Sequence, residues 1–265
     1  MDIDIPGGVL HVEVAGGERG PAMMLLHGFA QDSSTWDGVV AALGSDRRLV
    51  LVDLIGHGRS SRPDAAGPYA LDRVVESLEI IRRHLGEEAV HLVGYSMGGR
   101  IALTYASRYP GSVASLVIES ASFGPRDARE REESLARDRA LAERLRSSSI
   151  ERFVEYWETL SVFAGQEHLA EAQRVTRLAN DPLALARIVE GCGQGRMDDL
   201  LGWACSAPMP LVYFTGARDS RYHALAGVVA GCGVSVIEFD AGHDIHLERP
   251  GECTDALRDF HARVG

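Results

Sequence analysis

A serine between two glycines directly follows a short apolar run. The residues Gly94-Tyr95-Ser96-Met97-Gly98 form a G-x-S-x-G motif between the apolar run Val90–Val93 and a helical segment. The glycines permit a tight strand-to-helix turn that exposes the serine hydroxyl, and the helix directs its N-terminal amides and positive dipole end at it. This context predicts that Ser96 is a catalytic nucleophile or base.

An acid and a base follow later in the chain, in the order serine, aspartate, histidine. The apolar run Leu211–Thr215 ends shortly before Asp219, and the run Val234–Phe239 leads into a loop that carries His243. Open α/β sheets hold their sites at the carboxyl ends of strands, so we expect His243 to reach the serine and Asp219 to orient the histidine. The neighbouring loop residues leave alternatives open, namely His246 for the base and Asp240 or Asp244 for the acid.

The turn His27-Gly28-Phe29 follows another apolar run, Met23–Leu26. In serine enzymes of this architecture, this position supplies one backbone N–H to an oxyanion hole, and the residue after the serine supplies the other. Phe29 and Met97 are therefore the predicted oxyanion donors, through their backbones.

Short β-rich runs alternate with helical patterns, which predicts an α/β fold with a mostly parallel sheet flanked by helices. Leu10–Val14 alternates apolar and polar residues, as an antiparallel edge strand does, and the continuous apolar runs indicate strands covered on both faces. Besides those named above, strands are predicted at Leu49–Val52 and Ser115–Ile118. Helices are predicted at Ser34–Leu43, Leu71–Leu85, Gly99–Tyr109, Arg221–Val229 and Pro250–Val264.

The segment from residue 124 to 206 differs from its surroundings. It is rich in Arg, Glu, Ala and Leu, and its periodicity is helical. The strand pattern resumes at Leu211, so we interpret residues 124–206 as a helical lid inserted into a core formed by residues 1–123 and 207–265.

The charge and the apolar runs of the chain limit the classes of molecule that it is expected to bind. The chain of 265 residues has a formal net charge of −11, which argues against nucleic acid or an anionic membrane as a partner. Its apolar runs are too short to cross a bilayer, and its first twenty residues lack the pattern of a signal peptide. We therefore expect a cytoplasmic enzyme that acts on a small molecule, as a monomer or a small homo-oligomer.

The sequence predicts no cofactor and no metal. It contains no P-loop, no G-x-G-x-x-G after the first strand and no metal-ligand spacing. The four cysteines, Cys192, Cys205, Cys232 and Cys253, form no C-x-x-C pair, and we expect them to be reduced, buried thiols.

The turn around Ser96, here called the elbow, is followed by Gly99-Arg100. With these residues the chain resembles the 2-succinyl-6-hydroxy-2,4-cyclohexadiene-1-carboxylate synthases of menaquinone biosynthesis, a family of α/β-hydrolase-fold lyases. The likeness covers nearly the whole chain. Further motifs that carry it are Leu26-His27-Gly28-Phe29, Val52-Asp53-Leu54, Gly56-His57-Gly58, Trp157 with Phe163-Ala164, Gly216 to Tyr222, and Ala241-Gly242-His243 with His246 and Pro250.

The resemblance implies elimination in place of hydrolysis. The serine, activated by His243 and Asp219, would remove a proton beside the succinyl ketone of 2-succinyl-5-enolpyruvyl-6-hydroxy-3-cyclohexene-1-carboxylate, and pyruvate would leave from the ring. The oxyanion hole would then hold a developing enolate.

Such a polyanionic substrate requires arginines directed into the site. By the resemblance, Arg100 and Arg177 would contact the substrate, and Tyr95 and Trp157 would line its pocket. The chain departs from the family in the insertion. Arg131 fits the family pattern and would contact the substrate. Ser134 stands where a second, substrate-binding arginine is found, and Arg137, or else Arg129, would replace it from a neighbouring helix face.

If nothing replaces that arginine, the chain would act on a different, less anionic substrate. The alternative function is then a serine hydrolase (an esterase, a thioesterase or a carbon–carbon bond hydrolase) or a related lyase. A non-catalytic binding protein would have no reason to keep the serine, aspartate and histidine together.

Overall fold

The seven predicted strands and one additional N-terminal strand pair into one eight-stranded sheet in the computed structural model, which describes residues 1–17 and 20–264. The strands are β1 (Asp2–Ile5), β2 (Gly8–Gly16), β3 (Met23–Leu26), β4 (Arg48–Val52), β5 (Val90–Tyr95), β6 (Val113–Glu119), β7 (Leu211–Gly216) and β8 (Ser235–Phe239). Their order is β1-β2-β4-β3-β5-β6-β7-β8. All strands from β4 to β8 along this order are parallel, whereas β1 and β2 are antiparallel additions at one side.

The sheet edge differs from the prediction. Strand β1 pairs with β2 and forms the edge, so the segment around Leu10–Val14 is not the edge strand that its alternation indicated. Only Ile3 of β1 is fully buried, and its two aspartates are exposed. The sequence Asp2–Ile5 does alternate polar and apolar residues, but four residues are the shortest run in which such alternation can indicate a strand.

Helices cover both faces of the sheet. Outside the insertion they are α1 (Asp37–Leu43), α2 (Leu71–His84), α3 (Met97–Arg108), α9 (Ser220–Gly231), α10 (Ile245–Glu248) and α11 (Pro250–Val264). Alternate residues of β3 enter different cores: Met24 and Leu26 pack with α2 and α3, and Met23 and Leu25 pack with α1 and α11. Burial on both faces explains why the strands are continuously apolar. Across the described residues, no helix combines the length and apolar character needed to cross a membrane.

Five helices lie between β6 and β7, all within the segment 124–206: α4 (Ala128–Ser147), α5 (Ile150–Glu158), α6 (Glu167–Leu178), α7 (Pro182–Cys192) and α8 (Leu201–Ala204). They share a small apolar core of their own, which includes Leu145, Phe153 and Leu185. Ala30 and Phe29, from the loop after β3, pack into this same core. The insertion is thus anchored on the loop that carries a predicted oxyanion donor.

The prediction of four reduced cysteines is wrong for two of them. Cys205 and Cys232, which are 27 positions apart in sequence, form a disulfide with their Cα atoms 5.5 Å apart. Cys205 directly follows α8 and Cys232 directly follows α9, and their proximity arises from the packing of these helices, which no local spacing encodes. Cys192 and Cys253 are free and buried, and burial raises the pKa of the Cys192 thiol to about 12.

We expect the Cys205→Ser/Cys232→Ser double variant to lose about 3–4 kcal/mol of unfolding free energy, because the disulfide closes a loop of this length in the unfolded chain. Urea denaturation of both proteins, with and without reductant, measures the difference. Reductant should destabilise the wild type and leave the double variant unchanged. Four reactive thiols per chain in the unfolded, unreduced wild type, where two are expected, would contradict the disulfide.

Two histidines are buried at the opposite end of the sheet from the predicted site. His91 of β5 and His261 of α11 lie with their rings 4.4 Å apart, and the Nδ1 atom of His91 lies 2.8 Å from the Ser115 hydroxyl. Neither ring nitrogen of His261 has a hydrogen-bond partner among the described residues. Burial, with a smaller effect from Arg47, lowers the pKa of His91 to about 4. Burial, followed by His91 and Arg47, lowers the pKa of His261 to about 3.

These shifts predict a loss of stability in acid. Unfolded histidines bind protons as the pH falls below about 6.5, whereas these two folded histidines do not until about pH 4 and pH 3. Protonation therefore favours the unfolded chain. The contribution of these two histidines to the unfolding free energy is fully present above pH 6.5 and is lost as the pH falls toward 3. His261→Phe should flatten this decrease, as measured by urea denaturation at several pH values, while exposed His168→Asn should not. Parallel curves for His261→Phe and wild type would refute the assignment.

Candidate active site

Ser96 lies on a strained turn between β5 and α3. Its φ angle is +51°, in a region that side chains other than glycine rarely adopt. The flanking glycines make this turn possible. A side chain at Gly98 would collide with the backbone of Leu26, and one at Gly94 would collide with the backbone of Gly98. The predicted elbow is therefore present, with the serine at the carboxyl end of β5 and the N-terminus of α3 beneath it.

A chain of hydrogen bonds joins the three predicted catalytic residues. The Nε2 atom of His243 is 3.1 Å from the Ser96 hydroxyl, and its Nδ1 atom is 2.6 Å from a carboxylate oxygen of Asp219. Both His243 and Asp219 are buried, at 3% and 4% exposed. Asp219 must accept from Nδ1, which leaves Nε2 free to accept the serine proton. This geometry suits a serine that acts as a nucleophile or as a base.

The alternative residues are engaged elsewhere. The carboxylate of Asp240 pairs with Arg218 at the surface, and that of Asp244 accepts from the amide of Gln31 at 2.9 Å. His246 lies 2.7 Å from Glu119 through Nδ1 and 2.7 Å from the Thr35 hydroxyl through Nε2. The structure therefore brings Asp219 and His243, and none of the alternatives, to the serine.

Sequence reasoning did not identify Glu119 as a site residue. This last residue of β6 is completely buried, and one of its carboxylate oxygens accepts the backbone N–H groups of Ile245 (2.9 Å) and His246 (3.2 Å). It also accepts from the ring of His246, so it fixes the chain immediately after His243. A charged residue at the end of an otherwise apolar strand was the available sequence signal.

The loop that carries Phe29 is held by two neutral histidines. Burial lowers the pKa of both His27 and His57. The Nδ1 atom of His27 donates to the Gly28 carbonyl at 2.7 Å while its Nε2 accepts from the Leu54 N–H at 3.0 Å. Nε2 of His57 accepts from the Ala30 N–H at 3.3 Å. The backbone N–H groups of Phe29 and Met97, the predicted oxyanion donors, have no hydrogen-bond acceptor among the described residues.

A cavity of about 560 Å³ lies above Ser96, between the sheet and the insertion. Five arginines contribute to its lining: Arg100, Arg137, Arg144, Arg177 and Arg221. Asp138 is the one carboxylate among the described lining residues, and burial raises its pKa. The cavity is thus locally cationic in a chain of net charge −11. No group of three or more metal-binding side chains occurs within residues 1–17 and 20–264.

Besides Arg137, four residues predicted to bind the substrate or line its pocket contribute to this cavity. Tyr95 packs against the His243 ring at 5.2 Å between centroids, and Trp157 packs against Phe29 at 5.1 Å. Arg100 donates to the Cys192 carbonyl at 3.2 Å, and this leaves its other donors free. Arg177 is almost fully buried and contacts Glu158 and Gln173. Arg144, Arg221 and Tyr222 also line the cavity and were not identified from the sequence.

The arginines of α4 divide between the cavity and the surface. Arg131, predicted to contact substrate, instead donates to the carbonyls of Gly195 (2.9 Å) and Met197 (2.6 Å) and is not among the lining residues. Its role here is to tie α4 to the chain after α7. Arg129 points to solvent and pairs with Glu133. Arg137 lines the cavity and donates to the Ser134 hydroxyl at 2.9 Å, so Ser134 positions the arginine that was considered its replacement.

Comparison with known proteins agrees with this architecture. Residues 21–139 match the family profile described as alpha/beta hydrolase fold. A protein of Bacillus subtilis (strain 168), provisionally named 2-succinyl-6-hydroxy-2,4-cyclohexadiene-1-carboxylate synthase, is 33% identical over 94% of each chain.

Two further proteins extend the comparison. The Klebsiella pneumoniae enzyme that carries this synthase name is 31% identical over 96% of this chain and 99% of its own. A solved structure of MenH from S. aureus superposes with a TM-score of 0.86 at 26% identity, covering 96% of this chain and 98% of that one. On this evidence the chain belongs to the 2-succinyl-6-hydroxy-2,4-cyclohexadiene-1-carboxylate synthase family, lyase-type enzymes of the α/β-hydrolase fold.

Proposed function

We propose that this enzyme eliminates pyruvate from 2-succinyl-5-enolpyruvyl-6-hydroxy-3-cyclohexene-1-carboxylate. One observation carries the proposal: the Ser96–His243–Asp219 chain opens into a cavity in which four of five arginines have no carboxylate within 4.0 Å among the described residues. Arg177, which contacts Glu158, is the exception. The name shared by the relatives, which describes the product of this elimination, supports the same reaction.

Ser96 acts as the base in this proposal. His243 takes the hydroxyl proton through Nε2, and Asp219 stabilises the resulting imidazolium through Nδ1. The serine oxygen then removes the proton from the ring carbon that carries the succinyl ketone. The new ring double bond forms at this carbon, the existing double bond shifts by one position, and the carbon–oxygen bond to the enolpyruvyl group breaks. The leaving enolate takes up the proton held by His243 and becomes pyruvate, which restores the neutral histidine and the serine hydroxyl, so the reaction consumes no water.

Negative charge develops on the succinyl ketone oxygen when the proton leaves. The N–H groups of Phe29 and Met97 are the proposed donors to this oxygen, since both are free of protein acceptors among the described residues. Met97 is also the first residue of α3, where the helix dipole favours negative charge. Removal of one such donor in other enzymes costs about 3–4 kcal/mol of transition-state stabilisation.

The arginines meet the carboxylates of the substrate in this proposal. Arg100 and Arg177 approach from the core and from α6, and Arg137 approaches from α4, held by Ser134. Arg137 therefore takes the place of the arginine that the family carries at the position of Ser134. A carboxylate without a cation in a partly dry site would cost several kcal/mol, so this replacement preserves recognition of the polyanion.

Pyruvate release from this substrate, followed with lactate dehydrogenase, tests the proposal. Ser96→Ala should lower kcat on the order of a thousandfold or more, because it removes the base. Ser122→Ala, a buried serine whose hydroxyl has no partner in the described part of the chain, is the matched control and should stay within a few-fold. Faster acid release from aryl esters than pyruvate release, or a Ser96→Ala variant with most of the wild-type rate, would overturn the proposal.

The arginine assignment gives a second prediction. Arg100→Met should reduce the transition-state stabilisation of the polyanionic substrate, measured from kcat/KM, by about 2–4 kcal/mol. Arg137→Met should reduce it by about 1.5–3 kcal/mol, because Arg137 is more exposed than Arg100. Neither change should affect a neutral aryl ester by more than a few-fold. Arg129→Met, which removes a solvent-facing arginine from the same helix, serves as the control. Equal losses for Arg129→Met and Arg137→Met would contradict a substrate contact.

A further inference from the structure

Gln166 connects the insertion to the loop that carries His243. It lies just before α6 and is 3% exposed. Its side-chain oxygen accepts the backbone N–H of His243 at 2.8 Å and that of Asp244 at 3.3 Å. Two consecutive buried donors on the catalytic loop therefore depend on one amide from a different part of the chain, 77 residues away in sequence.

The nitrogen of the same side-chain amide binds a second residue near the histidine loop, Glu248. Its Nε2 donates to a carboxylate oxygen of Glu248 at 2.8 Å, and that oxygen also accepts the N–H of Gly242 at 2.9 Å. A side chain at position 242 would collide with Gln166, so the glycine before His243 is what permits this close approach. Three successive N–H groups, from residue 242 to 244, are thus bound by Gln166 and its partner.

The two sides of the loop are held by different parts of the molecule. Glu119, in the sheet, binds the N–H groups of Ile245 and His246, whereas Gln166, in the insertion, binds those of His243 and Asp244. The backbone N–H of the histidine itself is therefore bound by the insertion and not by the sheet.

We propose that Gln166 is a positioning residue that sets the orientation of His243 and so makes proton transfer from Ser96 depend on the docked insertion. The inference rests on the proposed role of His243. Gln166 is not among the described residues that line the substrate cavity, so its effect should reach the reaction only through the histidine.

Gln166→Met keeps the length of the side chain and removes both its acceptor and its donor. We expect kcat for pyruvate release to fall 10- to 100-fold while KM changes less than twofold. Asp64→Asn is the control, since Asp64 is fully exposed and pairs with Arg187 of α7 at 3.1 Å, which is another contact between the core and the insertion. It should leave both constants unchanged. If Gln166→Met does not fold, Gln166→Asn, which withdraws the same amide by one methylene, should give the same split.

Two readouts do not require the natural reaction. The low-field proton resonance of the His243 Nδ1–H, shared with Asp219, should broaden or shift in Gln166→Met. Labelling of Ser96 by a fluorophosphonate, which requires an activated serine, should slow by a similar 10- to 100-fold. If the wild type is labelled but releases no pyruvate, the proposed function fails and labelling alone decides the role of Gln166.

Unchanged kcat and labelling in a folded Gln166→Met variant would overturn the inference. So would a rise in KM with unchanged labelling, because that would place Gln166 in substrate binding. A fall in kcat and labelling together, at constant KM and with the His243 resonance altered, is the result we expect.

Discussion

One buried residue, Glu119, fixes the two halves of the site relative to each other through its backbone carbonyl and its carboxylate. Its backbone carbonyl accepts the N–H of Ser96 at 2.9 Å, while its side chain binds the N–H groups that follow His243. Strand β6 lies between β5 and β7, so the serine loop and the histidine loop are both hydrogen-bonded to one residue in the centre of the sheet. Its loss would leave several buried donors unsatisfied, at about 1–3 kcal/mol each. The spacing of the triad thus depends on a residue outside it.

The cavity is lined by positive charge, whereas the protein as a whole is negative. The distance from each set of charges to a bound substrate decides which of them has the larger effect. The net charge of −11 is spread over the whole chain, and at physiological ionic strength exposed charges are largely screened beyond about 8 Å. Arg100, Arg137 and Arg177 lie on the cavity wall, where a bound carboxylate would be in contact with them. For the proposed polyanionic substrate, short-range, partly desolvated pairing would therefore outweigh the repulsion from the acidic surface.

The sequence was most informative where a local pattern determines the geometry. The elbow around Ser96 and the strand ends before Asp219 and His243 could be located because parallel strands bring their carboxyl ends to one edge. Contacts between distant segments could not be found this way. Three such contacts depend on packing that no spacing reveals. They are the disulfide, the hydrogen bond between Glu119 and His246, which are 127 positions apart, and the contact of Gln166 with the histidine loop. Helical spacing placed Arg137 beside Ser134 but could not tell that Arg131 turns to backbone carbonyls.

The insertion is as much a part of the site as the sheet. Its apolar core includes Phe29 and Ala30 of the oxyanion loop, and Gln166 binds the histidine loop, so both loops acquire part of their order from it. It also supplies Arg137 and Arg177 to the roof over Ser96. A hydrolase must admit water to such a roofed cavity for every turnover, whereas the proposed elimination uses none. In the proposed reaction, cover by the insertion would strengthen the contacts between arginines and substrate carboxylates, and the elimination would need no water to enter the cavity.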